Sequence, residues 1–279
     1  MILPKAKRND VALYYEVHGR GAPLLLIAGL GSDISSWAGV INKLSAHFKV
    51  IAFDNREAGR SGISDKEYTI CQMSDDAVRL LDHLKIKKTH VLGHSMGGYI
   101  AQELAIDYPE RIDKLILEST APVSSKRNNA LFMDFYKALQ GKKNLEAWIR
   151  GWTRWLFSTK CRANRAFIQA FVKNGSRYPY AQQASGFKGQ IDAMASFDTR
   201  KRLSRIKAKT LVIEGNKDAL ILPKEARALA KNISGSIFRS VNGMAHCIHI
   251  ENPGLFVRIV TEFLISNKNY MKSQNHDRA

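Results

Sequence analysis

Gly93-His94-Ser95-Met96-Gly97-Gly98 follows the apolar run His90-Val91-Leu92 and opens a helical stretch, Tyr99 to Tyr108. A strand, a tight turn flanked by glycine and then a helix is the setting that exposes a nucleophilic serine. The glycines have a physical task. A serine in a strained turn needs neighbours without Cβ atoms, or strand and helix cannot approach. The turn also places the Met96 N–H at a helix N-terminus, where the dipole favours developing negative charge. The motif G-x-S-x-G alone fixes only three positions and recurs by chance. A phosphate loop is a poor alternative, because no Gly-Lys-Ser/Thr follows. The rest of the chain must therefore supply the partners.

A general base and an acid should lie downstream, in that class of site, in the order Ser, acid, His. Thr210-Leu211-Val212-Ile213 reads as a strand ending in Gly215-Asn216-Lys217-Asp218. An acid just past a buried strand sits at the carboxyl edge of the sheet, where sites gather. Ser236 to Val241 reads as a further strand, followed by Asn242-Gly243-Met244-Ala245-His246 and by an amphipathic helix from Leu255 to Ile265. With these segments in place the chain resembles the α/β-hydrolases, from about residue 8 to 266. The resemblance implies Ser95 as nucleophile, His246 as base and Asp218 as acid. Glu118, at the end of the strand Lys114-Leu115-Ile116-Leu117, is the competing acid, and His249 the competing base.

Two further segments carry the resemblance. Leu24-Leu25-Leu26-Ile27-Ala28-Gly29-Leu30-Gly31, with Trp37 after it, is similar to the family's strand and oxyanion loop. The family loop usually begins His-Gly, whereas this one has Ala28-Gly29. The resemblance makes the Leu30 N–H the second oxyanion donor beside Met96. Phe53-Asp54-Asn55-Arg56-Glu57-Ala58-Gly59-Arg60-Ser61 resembles the Asp-x-Arg-Gly-x-Gly-x-Ser loop, with Glu57 where glycine is usual. Similar loops occur together in the methylesterase and enol-lactonase branches.

At 279 residues the chain can bury one large α/β domain with an insertion, and its 45% hydrophobic content is ordinary. No apolar leader follows Met1, and no run reaches a membrane span. The three scattered cysteines, Cys71, Cys161 and Cys247, argue for a reducing compartment, so a cytoplasmic location is expected. No metal-ligand cluster is visible, and Gly29-x-Gly31 lacks the third glycine of a dinucleotide loop. No cofactor is implied. The order of strands and helices predicts a mostly parallel central sheet flanked by helices, the α/β-hydrolase fold, with a helical cap inserted after the sixth strand. Asn9-Asp10 marks a turn between the first two strands. Residues 1–120 and 207–266 are assigned to the core, 121–206 to the cap and 267–279 to a frayed polar tail.

The cap carries the unusual composition. It has 17 Lys/Arg against 4 Asp/Glu, so +13 of the chain's +18 lies there, together with 13 of the 25 aromatics. Trp148, Trp152 and Trp155 share one helical face and predict a small cap core. Phe132, Trp152 and Trp155, with His94 beside the nucleophile, are the candidate pocket residues, because an acyl group needs an apolar wall. A basic cap can steer anionic ligands: a small carboxylate, an acidic acyl carrier protein or an anionic membrane surface. Basic composition with no anionic ligand explains the charge equally well. No nucleic-acid recognition fold accompanies it. The plan is similar to esterases that cleave pimeloyl-carrier-protein methyl esters, which meet their acidic carrier through a basic cap.

These readings converge on a serine hydrolase of a carboxylic ester working through an acyl-enzyme. Enol-lactone hydrolysis and carbon–carbon bond cleavage run on the same triad and stay open. Dehalogenation needs an aspartate at position 95 and is disfavoured. A non-catalytic ligand-binding module on the same fold has no need of Ser, Asp and His together.

Overall fold

The computed structural model describes residues 2–3, 11–141 and 144–265. Eight strands form one sheet: β1 (Ile2–Leu3), β2 (Leu13–His18), β3 (Pro23–Ile27), β4 (Lys49–Phe53), β5 (Thr89–His94), β6 (Ile112–Glu118), β7 (Lys209–Gly215) and β8 (Ile237–Val241). They lie in the order β1-β2-β4-β3-β5-β6-β7-β8. β2 is antiparallel to both neighbours, and every pairing from β4 to β8 is parallel. The turn at Asn9-Asp10 and the tail 267–279 lie outside the described residues.

The strands are apolar without alternation because both faces of the sheet are covered. Leu25, Ile27, Val91, Leu115 and Val212 face one core, with helices α2 (Ile70–His83), α3 (Met96–Asp107) and α9 (Pro223–Lys231). Leu24, Leu26, Leu92, Ile116 and Ile213 face the other, with α1 (Ala38–Leu44) and α11 (Pro253–Ile265). Helix α2 begins at Ile70 rather than near Ser74, where the apolar period starts. Thr69 and Gln72 form a reciprocal capping box that satisfies the first turn's free N–H groups.

Between β6 and β7 the chain forms α4 (Lys126–Gln140), α5 (Leu145–Leu156), α6 (Thr159–Ala163), α7 (Arg165–Ser176) and α8 (Ala184–Ala195). Their base is closed where the chain leaves and re-enters the sheet. Val123 and Asp198 form an antiparallel bridge, and Thr199 N–H donates to the Pro122 carbonyl at 2.8 Å. Among the described residues, no helix is long and apolar enough to cross a membrane. Cys71 is exposed, Cys161 half-buried and Cys247 buried, and none forms a disulfide.

From β3 the chain passes to β4 on one side, then returns to β5 on the other. Loops leaving the carboxyl ends of β3 and β5 therefore diverge and leave a crevice between them, the usual place for a ligand in such sheets. The Ala28–Gly31 loop and the Ser95 turn both stand at this crevice.

Candidate active site

Ser95 links β5 to α3 with φ 55° and ψ −118°. That left-handed backbone costs a β-carbon-bearing residue on the order of 1–3 kcal/mol and persists only where surroundings impose it. Here the Ser95 N–H donates to the Glu118 carbonyl at 2.9 Å, and the Ser95 carbonyl accepts from Gly98 N–H and Thr120 Oγ at 2.8 and 2.9 Å. The glycines permit the approach. A Cβ on Gly97 would lie 2.1 Å from the Ile27 carbonyl oxygen, and one on Gly98 would lie 2.5 Å from Thr120. Helix α3 can therefore start directly against the end of β3, which brings the Met96 N–H to the crevice.

The loops that carry Asp218 and His246 are laced together. Lys217 N–H donates to the Met244 carbonyl at 2.9 Å, and Asn216 bonds both Asn242 and Gly243. His246 donates Nδ1–H to Asp218 Oδ2 at 2.8 Å. Asp218 Oδ1 accepts from the Leu220 and Ile221 N–H groups at 2.8 and 3.0 Å. The carboxylate is thus fixed by backbone, and with Nδ1–H turned to it a neutral imidazole carries its lone pair on Nε2. Asp218 and His246 are both buried.

Glu118 and His249 form a second buried carboxylate–imidazole pair, Oε1 to Nδ1 at 2.9 Å. Glu118 is therefore bonded to His249 and Asp218 to His246. His94 is buried beneath the turn and donates Nε2–H to the His246 carbonyl at 3.2 Å. Burial, and then the proximity of His249 and His246, hold the His94 imidazole well below its ordinary pKa, so it is neutral. Burial, and then Glu118, push the Cys247 thiol well up. Ligand-capable atoms of His94, Glu118 and His249 lie within 4.8 Å of one another, the one such trio among the described residues. Glu118 Oε1 is already committed to two N–H groups of His249.

The Ala28–Gly31 loop, which has no histidine at position 28, is held by residues remote in sequence. Asn55 donates to the Ala28 carbonyl at 3.0 Å. Gln190, from cap helix α8, donates to the Arg56 carbonyl at 2.9 Å and accepts from Gly31 N–H at 3.4 Å. Arg56 is pinned by a buried two-point ion pair with Asp76. Glu57 adopts φ 67°, the conformation that favours glycine there, and its carboxylate accepts the Tyr68 hydroxyl at 2.6 Å. Leu30 is packed against the core between these anchors.

Aromatics of the helices inserted between β6 and β7 form a cluster that ends at this loop. Phe135 and Trp152 stack at 3.8 Å, Phe132 lies 6.0 Å from Trp152, and Phe187 lies 6.2 Å from Trp152. A Cβ on Gly31 would meet the Phe187 ring at 3.3 Å. Trp155 instead carries the Arg154 guanidinium at 5.2 Å from its ring centre. Phe187, Gln190 and Asn55 were not singled out by the sequence, since nothing local distinguishes a cap residue that touches the loop from one that does not. Glu251 was also missed. It accepts from Ala245 N–H at 2.8 Å and from Ser158 Oγ at 2.6 Å, and so joins the His246 loop to the cap.

The comparison with known proteins agrees with this architecture. The model of the alpha/beta hydrolase fold matches residues 22–253. The chain is 30% identical over 267 residues to the protein named carbamate hydrolase RutD in Azorhizobium caulinodans, spanning 94% of this chain and 98% of the relative. It is 30% identical to 3-oxoadipate enol-lactonase 2 of Acinetobacter baylyi over 89% of this chain and 91% of the relative. The solved structure of the enol-lactonase from Burkholderia xenovorans LB400 superposes with a TM-score of 0.84 at 26% identity, covering 94% of this chain and 100% of the other.

Proposed function

The chain belongs to the α/β-hydrolase family, and from that premise we propose that it is a serine hydrolase of carboxylic esters. Ser95 Oγ attacks the ester carbonyl while His246 Nε2 takes its proton. The Met96 and Leu30 N–H groups hold the oxyanion. Collapse expels the alkoxide, which receives the proton from His246, and leaves an acyl-Ser95. Water, deprotonated by His246, attacks that acyl group and releases the carboxylic acid and free Ser95. Asp218 holds the imidazole tautomer and stabilises the imidazolium. No cofactor enters these steps. The observation that carries the reading is the His246–Asp218 bond at 2.8 Å, on a segment whose His246 carbonyl is bonded by His94, the residue before a serine strained at φ 55°.

The aromatic cluster of Phe132, Trp152 and Phe187, which reaches Gly31 through Phe187, supports an apolar wall for the acyl side of the substrate. The similarity to a protein named for carbamate hydrolysis favours a second reading, since a carbamate carbonyl reaches the same tetrahedral intermediate. Arg150, Arg154, Lys160, Arg162, Arg165, Lys173 and Arg177 are exposed and make no ion pair among the described residues. No Asp or Glu occurs between residues 147 and 191. This surface supports capture of an anionic substrate, either a small carboxylate or an ester on an acidic acyl carrier protein. The unpaired cysteines fit a cytoplasmic setting.

A fluorophosphonate probe should label the protein once, at Ser95, and a panel of esters, carbamates and enol-lactones should identify the favoured bond. Ser95→Ala should lose labelling and turnover while melting as the wild type does. Ester turnover in Ser95→Ala within tenfold of wild type would sink the mechanism.

A further inference from the structure

Glu118 makes contacts that the acyl-transfer scheme does not use. It ends β6 and pairs in register with His94 at the end of β5. Its backbone carbonyl accepts the Ser95 N–H at 2.9 Å. Its side chain, fully buried, turns to the other loop: Oε1 accepts the His249 backbone N–H at 3.2 Å and the His249 ring Nδ1–H at 2.9 Å. His249 stands in the one-turn helix α10 (Ile248–Glu251), which Cys247 separates from His246. The His249 ring lies against Trp37 at 4.5 Å and against His94 at 4.7 Å. A second tie closes the circuit, because His94, next to Ser95, donates to the His246 carbonyl.

Nucleophile and base are far apart in sequence: Ser95 is the single residue between β5 and α3, whereas His246 sits on the loop between β8 and α10. We propose that Glu118 is a positioning residue, binding the Ser95 turn through its carbonyl and the His246 segment through its carboxylate, with His94 as the second tie. This inference rests on Ser95 and His246 being nucleophile and base. It gives Glu118 a purpose other than that of triad acid, since its carboxylate faces His249. The Glu118 tie depends on an acceptor oxygen rather than on charge. A glutamine amide can present that same oxygen to both N–H groups of His249, whereas leucine cannot.

The test compares wild type with Glu118→Leu, Glu118→Gln and His94→Phe. Three quantities are read: the rate of Ser95 labelling by a fluorophosphonate, kcat and KM on the best ester of the panel, and the melting temperature. A misplacement approaching 1 Å costs a reaction about 10- to 100-fold, so Glu118→Leu should lose that much in labelling rate and kcat while KM stays within about twofold. Glu118→Gln should recover to within about threefold of wild type. His94→Phe should slow labelling while leaving KM in place. A Glu118→Leu protein that labels at the wild-type rate overturns the proposal, and so does a glutamine variant as impaired as the leucine one. Should Glu118→Leu fail to fold, His94→Phe decides, and an unchanged labelling rate there refutes the tie. A wild-type protein that is not labelled at Ser95 overturns the hydrolase reading itself, which separates the two failures.

Discussion

Replacing Asp218 by asparagine tests the acid with little change of shape, and the structure sets the size of the effect. Asp218 accepts three N–H groups: His246 Nδ1–H on Oδ2, and the Leu220 and Ile221 backbone N–H groups on Oδ1. An asparagine has one acceptor oxygen and one NH2 group to distribute between these sides. Turning the oxygen toward His246 would aim the NH2 at two buried backbone donors. Each unsatisfied donor costs about 1–3 kcal/mol, so this orientation loses about 2–6 kcal/mol. The oxygen should therefore stay on Leu220 and Ile221, and the NH2 should face the imidazole. A donor at that point demands an acceptor, so His246 must shift its proton from Nδ1 to Nε2. The base then has no lone pair toward Ser95. A triad held in the wrong tautomer loses about four orders of magnitude in kcat, which is about 5.4 kcal/mol of barrier. The melting temperature should change little, because the backbone bonds of the turn survive. The assay is single-turnover acylation with a chromogenic ester, together with fluorophosphonate labelling. Turnover within tenfold of wild type in Asp218→Asn, alongside collapse in Glu118→Gln, would transfer the acid to β6 and refute the argument.

The cap charges are expected to act on capture rather than on chemistry. Changing Arg150, Arg154, Arg162 and Arg165 together to Gln should lower kcat/KM for a carboxylate-bearing or carrier-bound ester and leave a neutral ester unaffected. The difference should shrink as salt shortens the screening length below roughly 8–10 Å. Equal salt response for both esters would return the basic cap to composition without a ligand. Stability should fall in mild acid because His94 is buried neutral, its pKa held well below 6.5 by burial and by His249 and His246. Below about pH 6.5 the unfolded chain binds the proton that the native state refuses. Stability then drops by up to about 1.4 kcal/mol per pH unit until the native His94 titrates. Denaturant titrations from pH 7.5 to 5 should show this slope, and His94→Phe should flatten it; an unaltered slope would mean that other groups carry it.

The central strands and the Ser95 turn were legible because their causes are local. Leu24 to Ile27 can be apolar at every position only if both faces are covered, and covered faces mean a parallel sheet with helices on each side. Gly97 and Gly98 point to a strand meeting a helix head-on, and the gaps of 2.1 and 2.5 Å to Ile27 and Thr120 leave no room for a Cβ. The helix starts were less legible, since the apolar period near Ser74 begins after the Thr69–Gln72 box that starts the helix. The pairing of acids with histidines could not be read from spacing. Glu118 and Ile213 are register partners on adjacent parallel strands, so Glu118 and Asp218 both emerge at one edge of the sheet. His246 and His249 are separated by three residues, and either could face either acid. What separates them is the one-turn helix that begins at Ile248, which carries the His249 ring under Trp37 and onto Glu118. His246 precedes that turn and stays with the Asp218 loop, to which Lys217 and Met244 lace it. A single turn of helix is below the reach of periodicity, yet here it separates one carboxylate–imidazole pair from the other. The cap's contribution is equally remote. Gln190 meets Gly31 across 159 positions of chain, so the support of the Ala28–Gly31 loop depends on how α8 docks.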